Sequence, residues 1–300
     1  MKQTSGRGVL WSLASAFLWS TTFVTVRPIL AEGRVDPITL SLLRFVLGGG
    51  ALLALGLATR RPALLRLSKR DFIDLLVLGF FGMLGMSALL FWGQRTTTAV
   101  NASMIMQTSP LLILLGGLFI GERVRLPQIL GISASLLGCL LVVEVLTPRG
   151  LRLQSGHLAG DLLVFGGAVC WAIYSILGKP VVARLGGFKT TTWAMLFGAA
   201  LLLLLRLFAP APLIWPAGVS GWAPVLYLAL LPTAVAFYAW YEAMSLLPLP
   251  LLNVMQYLTP AFTLFLAWLL LGERLAPVQW VGVGLILGGV MLTGLRRRAN

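Results

Sequence analysis

Histidine is almost missing from this chain: one residue, His157, in 300. Cysteine is represented only by Cys139 and Cys170, and aspartate and glutamate together number nine. Sets this thin exclude a disulfide framework and offer no ligand cluster for a metal. There is no HExxH, no nucleotide-binding loop and no pair of carboxylates inside an apolar segment. The residues for hydrolytic, redox or nucleotide chemistry are therefore not assembled anywhere. No catalytic residue, metal or cofactor is expected, and an enzyme reading would need His157 to meet two acids. Charge of either sign is also scarce, at 11% against about 25% in soluble domains.

What fills the chain instead is apolar: 58% of its residues are hydrophobic. A helix needs about 20 mostly apolar residues to cross a bilayer, and about ten such segments can be marked. They lie near 8–30, 37–58, 72–93, 98–119, 127–146, 159–180, 189–209, 222–245, 251–271 and 277–295. Little is left for a soluble domain. The net charge of +14 does not indicate nucleic acid, because the basic residues sit in short loops between spans. With the amino terminus inside, the cytoplasmic segments collect about 15 Lys and Arg against about 7 outside. An even number of spans then puts both termini in the cytoplasm. Lys2, Arg7 and Ala14-Ser15-Ala16 mimic a cleaved signal. The apolar run continues to Leu30 and has a partner later in the chain, so the reading is an uncleaved first helix.

That partner belongs to a repeat. Residues 102–143 and 251–292 spell the same hairpin: a Pro-bearing helix, a Gly-Glu-Arg corner and a Gly-rich helix. Pro110 matches Pro260, Glu122-Arg123 matches Glu273-Arg274, and Gly131 and Gly138 match Gly282 and Gly289. Trp19 to Pro28 (WSTTFVTVRP) matches Trp171 to Pro180 (WAIYSILGKP), and Phe45 matches Phe197. The spacing predicts two five-helix units, residues 1–146 and 155–300. Five is odd, so the copies enter the membrane in opposite directions. The expected fold is all-α and integral to the membrane: ten transmembrane helices in two inverted repeats around a central cavity. Such duplications mark secondary transporters, with substrate held near the midplane between the halves.

The Pro-bearing helix, the Leu-Gly-Glu-Arg corner and the Gly-rich helix, with Leu43-Arg44-Phe45 in the second span, resemble the EamA-type branch of the drug/metabolite transporter superfamily. The first corner departs from the pattern, with Ile120 in place of Leu. The general layout is similar to that of the YddG-like amino-acid exporters. The resemblance implies export of small organic solutes, amino acids or related metabolites, by alternating access across a bacterial-type inner membrane. Its implied partners are a small-molecule substrate and the lipid bilayer. An importer, or a permease for drugs or other metabolites, would share every feature. A scaffold would not need two opposite half-cycles. Nothing implies an oligomer.

Candidate site residues follow from position within the spans. Trp19 and Trp171 lie mid-span, where tryptophan is unusual, and Thr22 and Tyr174 follow one turn on. These four are candidate cavity walls, against simple helix packing. Ser103 and Gln107 share a face with Pro110, and Asn253 and Gln256 with Pro260. Tyr257 lies beside Gln256. The prolines free the carbonyls of Met106 and Gln256. Amides and freed carbonyls can serve both ends of a zwitterion without a buried charge; the alternative is interhelical glue. Met83, Met86 and Ser87, with Phe237, Tyr238 and Tyr241, are candidate adaptable lining. Pro28, Pro180, Pro110 and Pro260 are candidate hinges, against prolines that merely end helices. Glu242 is the candidate for proton coupling, against contact with cytoplasmic water. Arg44 reads as a structural partner of Glu144 or Asp36, or as a substrate anchor. The two Glu-Arg corners, on opposite faces, read as structural.

Overall fold

The computed structural model describes residues 6–31, 33–93, 105–119, 125–142, 146–147, 150–151, 158–208, 213–271 and 276–294. Ser103, His157, Glu144 and both Gly-Glu-Arg corners lie outside the described residues. The chain is helical nearly throughout. Among the described residues the strand structure is a two-residue antiparallel ladder, β1 (Leu146–Thr147) with β2 (Gly150–Leu151), between the halves of the chain.

The helices, in chain order, are α1 (Gly6–Ala31), α2 (Pro37–Ala58), α3 (69–93), α4 (Ser109–Phe119), α5 (Leu126–Val142), α6 (Leu158–Leu185), α7 (Gly187–Phe208), α8 (Gly218–Leu246), α9 (249–271) and α10 (Pro277–Gly294). Five described helices are long and apolar enough to cross a membrane. Without water in the lipid core, such helices must satisfy their polar groups internally. Thr191, Thr192 and Ser175 do so by donating to carbonyls four residues back, at 2.8, 2.8 and 2.9 Å. Ends are fixed by local chemistry. Asp36 caps α2 by accepting from the Thr39 amide at 3.0 Å, with Pro37 at the first helical position. Ser68 and Asp71 form a reciprocal capping box on α3.

The sequence marks α3 and α8 only as single spans, and the structure shows both interrupted. A π-helical segment, Phe80–Gly85, lies inside α3, and another, Ala229–Val235, inside α8. They occupy matching places in the two halves. The first carries Gly82 and Gly85, the second Pro232, which cannot donate to an i−4 carbonyl. The span marked at 251–271, with Pro260 as a candidate hinge, is broken as well. There α9 consists of Leu249–Met255 and Leu258–Leu271, joined by a turn at Gln256-Tyr257. A turn at Gln107-Thr108 precedes α4 in the same way. Each turn sits just before its proline, Pro260 or Pro110. Pro180, in contrast, does not end its helix, since α6 runs on to Leu185. The α1 helix likewise extends past Pro28 to Ala31.

The halves interlock through glycine. A Cβ on Gly138 would stand 2.5 Å from the Gly282 carbonyl oxygen and 2.9 Å from the Ile286 nitrogen. One on Gly289 would overlap the Gly131 carbonyl oxygen and Ser135. The Ser135 hydroxyl donates to the Ile286 carbonyl at 3.2 Å. Residue numbers rise on one helix as they fall on the other, so α5 and α10 cross antiparallel at backbone distance. The sequence reads these glycines as packing residues; the structure supplies their partners, each other.

At one end of the bundle Arg184 of α6 bonds Asp71 at 3.1 Å and Asp74 at 2.5 Å, joining the two halves. Lys189 donates to the Arg66 carbonyl, and the Trp193 indole to the Leu64 carbonyl at 2.8 Å.

Candidate functional site between the two halves

The two mid-span tryptophans meet. Trp19 of α1 and Trp171 of α6 have ring centroids 5.4 Å apart, edge to face. Phe237 stands 5.4 Å from Trp19 and 5.9 Å from Trp171. Trp240 lies 5.4 Å from Trp19, and Tyr174 lies 5.2 Å from both Trp171 and Tyr241. Phe45 of α2 closes one side at 6.1 Å from Phe237. Every helix that contributes belongs to α1, α2, α6 or α8, so the cluster straddles the halves. Edge-to-face pairs of this kind are worth about 0.5–1.5 kcal/mol each beyond the area they bury.

An open cavity was expected at this place. The described residues show instead a packed one: Tyr174, Tyr241 and Trp240 are at most 1% exposed and Trp171 is 6% exposed. The rings fill the space they were expected to line, because they are large and complementary in shape. A cavity of about 670 Å³ does exist, but at the flank of the bundle between α1, α9 and α10. Leu13, Leu251, Phe262, Val283 and Leu287 line it, and no amide of the candidate site reaches it.

The broken helix α9 brings the polar groups to the cluster. The Trp171 indole donates to Gln256 Oε1 at 3.2 Å. That leaves Gln256 Nε2 without a partner among the described residues, together with both polar atoms of Asn253, Trp240 Nε1 and Thr22 Oγ1. Asn253 is fully buried. Among the described residues the hydroxyls of Ser15, Thr39, Tyr174 and Tyr241 are unbonded as well. A buried polar group left unbonded costs about 1–3 kcal/mol; the unpaired amide groups of α9 reach the cluster through the Gln256 bond to Trp171 and require a reason.

The freed carbonyls are a correction. Met106 O accepts from the Ser109 hydroxyl at 2.8 Å, and Gln256 O from the Thr259 amide at 2.9 Å. Each has found one partner in its own turn, so neither is the fully unpaired acceptor that the sequence suggests. Beside these turns the Gln107 carbonyl bridges the halves, accepting from the Tyr257 hydroxyl at 3.1 Å. This bond ties the turn before α4 to the turn inside α9. Tyr257→Phe removes a buried bond worth about 0.5–1.5 kcal/mol and should lower the thermal midpoint of the purified protein modestly. An unchanged midpoint would show that the bond is not held in the folded state.

Other candidates fall elsewhere. Met83 is fully buried against Gly198 of α7, where it packs helix to helix. Tyr238 points away from the cluster, with Trp11 at 5.6 Å and Phe188 at 5.8 Å. Glu242 is near Tyr238, not in the aromatic centre; its polar neighbours are the Gly187 amide, Tyr238, Arg7 and Arg61. Asp36 is not the partner of Arg44: its carboxylate accepts from the amides of Thr39 and Ile214, each at 3.0 Å. Trp240 is the residue that sequence reasoning missed. Its spacing of three from Phe237 and one from Tyr241 on a single helix was the available signal.

The chain matches the EamA-like transporter family twice, over residues 6–144 and 158–295. It is 30% identical over 306 aligned positions to a probable terminal-alkyne amino-acid exporter of Streptantibioticus cattleyicolor, covering 97% of this chain and 96% of that protein. It is 28% identical over 292 positions to the aromatic amino acid exporter YddG of Ancylobacter novellus, covering 96% and 97%. The uncharacterized transporter YyaM of Bacillus subtilis is 29% identical over 230 positions, covering 74% and 73%. A solved crystal structure superimposes with a TM-score of 0.83 at 26% identity, covering 95% of each chain. With both halves matched and the two amino-acid exporters spanned nearly end to end, the chain belongs to the EamA-like transporter family.

Proposed function

We propose that this protein is a secondary transporter that exports small organic solutes, amino acids first among them, by alternating access. The observation that carries the reading is the aromatic cluster of Trp19, Trp171, Tyr174, Phe237 and Trp240, edged by unpaired amide groups of Asn253 and Gln256. Aromatic faces suit an apolar or aromatic side chain. The amides supply donors and acceptors for a zwitterion. Gln107, Tyr257, Thr22 and Ser103 complete the proposed substrate group, and Met83 and Tyr238 back it from outside the aromatic cluster. The names of the amino-acid exporters among the relatives favour the same substrate class.

Ten transmembrane helices in two inverted five-helix units, 1–146 and 155–300, would give each half the conformation the other holds. The antiparallel crossing of the equivalent helices α5 and α10 supports that relation, as do the matched π segments and the matched turns before Pro110 and Pro260. Both termini then lie in the cytoplasm of a bacterial inner membrane. Pro110 and Pro260 act as hinges at the two turns, and Pro28 and Pro180 near opposite faces. Because the cluster is closed by its own rings, substrate entry requires those rings to part. Glu242 is the proposed coupling group, placed where a proton can exchange with cytoplasmic water.

The test is purified protein in liposomes, preloaded with an aromatic amino acid and challenged with a panel of amino acids. Saturable, nucleotide-free counterflow with competition by aromatic and large apolar amino acids is the expected result. Absence of saturable movement across the panel would overturn the reading. Glu242→Gln should abolish the response to an imposed proton gradient while leaving counterflow intact.

A further inference from the structure

We propose that Arg44 and Thr233 form an oxyanion site on the edge of the aromatic cluster, which takes the carboxylate of the transported solute. The inference rests on the transport reading and adds the charge recognition that the neutral amides lack.

Arg44 lies seven residues into α2, about 10 Å along the axis from its start. A cation at that depth in a membrane span is costly and calls for a counter-group. The structure gives it a neutral one. Arg44 Nε donates to Thr233 Oγ1 at 3.0 Å. Among the described residues no carboxylate forms an ion pair with it, and Asp36 is engaged elsewhere. No hydrogen bond to its Nη1 or Nη2 occurs among the described residues. A guanidinium pinned through Nε presents its two outer nitrogens as a fixed fork, the geometry that pairs with a carboxylate.

The location joins the fork to the cluster. Thr233 lies in the π segment of α8, one turn from Phe237, whose ring touches Trp19 and Trp171. π segments inside α-helices recur at functional sites. Arg44 itself adjoins Phe45, which packs on Phe237. A solute with its side chain among the rings would therefore have its carboxylate within reach of α2.

The pair is also absent where packing alone would repeat it. Gly48 of α2 meets Ala229 and Thr233 of α8; in the other half Gly198 of α7 meets Gly79 and Met83 of α3. By that structural pairing, two residues off the sequence match of Phe45 with Phe197, Ala194 stands where Arg44 does and Met83 where Thr233 does; the sequence match puts Leu196 opposite Arg44, equally apolar. The fold closes this helix contact with apolar residues in one half, so the charged pair in the other serves something besides packing.

The experiment measures competition in proteoliposomes by two probes that differ at one group: phenylalanine and phenethylamine, which lacks the carboxylate. Wild type should favour phenylalanine by roughly tenfold or more, as a charge-assisted pair warrants. Arg44→Gln should abolish the preference while leaving competition by phenethylamine within about twofold. Thr233→Val, which keeps the cation and loosens its aim, should reduce the preference in part. It also serves as the second variant should Arg44→Gln fail to fold. An unchanged ratio in either folded variant overturns the site. If Arg44 instead holds a lipid phosphate, the variants will change the dependence on anionic lipid and not the ratio, which also overturns it. Wild type moving neither probe would sink the transport reading, a result distinct from a wild type that transports and an Arg44→Gln that discriminates equally well.

Discussion

Trp171→Ala is expected to reduce transport by at least about tenfold while the protein still reaches the membrane. The indole holds two functions in one side chain. Its ring contacts Trp19, Tyr174, Phe237 and Trp240, all with centroids within 6.0 Å. Its N–H fixes Gln256, and with it the turn inside α9. Removing the side chain takes the central wall from the site and releases the amide that faces it. A buried Trp→Ala change costs about 3–5 kcal/mol in well-packed cores, so a stability loss will accompany the transport loss. Trp171→Phe separates the two: it keeps most of the ring and deletes the donor. Stability should largely recover in Trp171→Phe while solute affinity stays weakened, and Gln256→Ala should resemble it. Transport at the wild-type rate by both Trp171→Ala and Gln256→Ala would remove these residues from the site.

The second large effect is structural. Gly138→Ala and Gly289→Ala place a Cβ against backbone of the facing helix, at 2.5 Å from the Gly282 oxygen in the first case. Backbone cannot rotate aside as a side chain can. The helices α5 and α10 must separate, losing the Ser135–Ile286 bond and the contact along the crossing. Overpacking costs about 1–3 kcal/mol per site and sometimes more. Both variants should show a lower thermal midpoint and poorer recovery as a single species in detergent. Gly284 and Gly288 lie on the same helix as Gly289, with nothing within 4 Å of a Cβ. Alanine there should be neutral or slightly stabilising, since it restricts the unfolded chain without a clash. Equal behaviour at all four positions would mean that the crossing is not as close as described.

Much of this was legible in the sequence because the chain is written twice. The repeat placed Trp19 and Trp171 in equivalent positions, and the structure puts them in contact. Proline placement announced the two turns, since a proline always removes one helical bond four residues back. What filled the vacancy was not legible: Ser109 and Thr259 are close in sequence, but only the folded turn shows that they take up the carbonyls. The glycine pattern marked packing faces without naming partners, because a face is a local property and a crossing is not. The partner of Arg44 was hidden for a similar reason. Of the two acids the sequence offers it, Asp36 is engaged elsewhere and Glu144 lies outside the described residues, while Thr233 lies 189 residues away and becomes a neighbour only through the α2–α8 contact. The π segments left no comparable trace, since one is built around glycines and the other around a proline. The packed centre escaped for another reason: residue type tells what can line a cavity, and only shape tells whether the rings close it.

Solute counterflow in sealed proteoliposomes, without nucleotide and without an ion gradient, is the most direct test of the central claim. Wild type should accumulate labelled aromatic amino acid against an unlabelled internal pool with saturable kinetics, and Gln256→Ala should not. A wild type that shows no saturable counterflow, or a Gln256→Ala protein indistinguishable from it, would contradict a substrate site at the junction of the two halves.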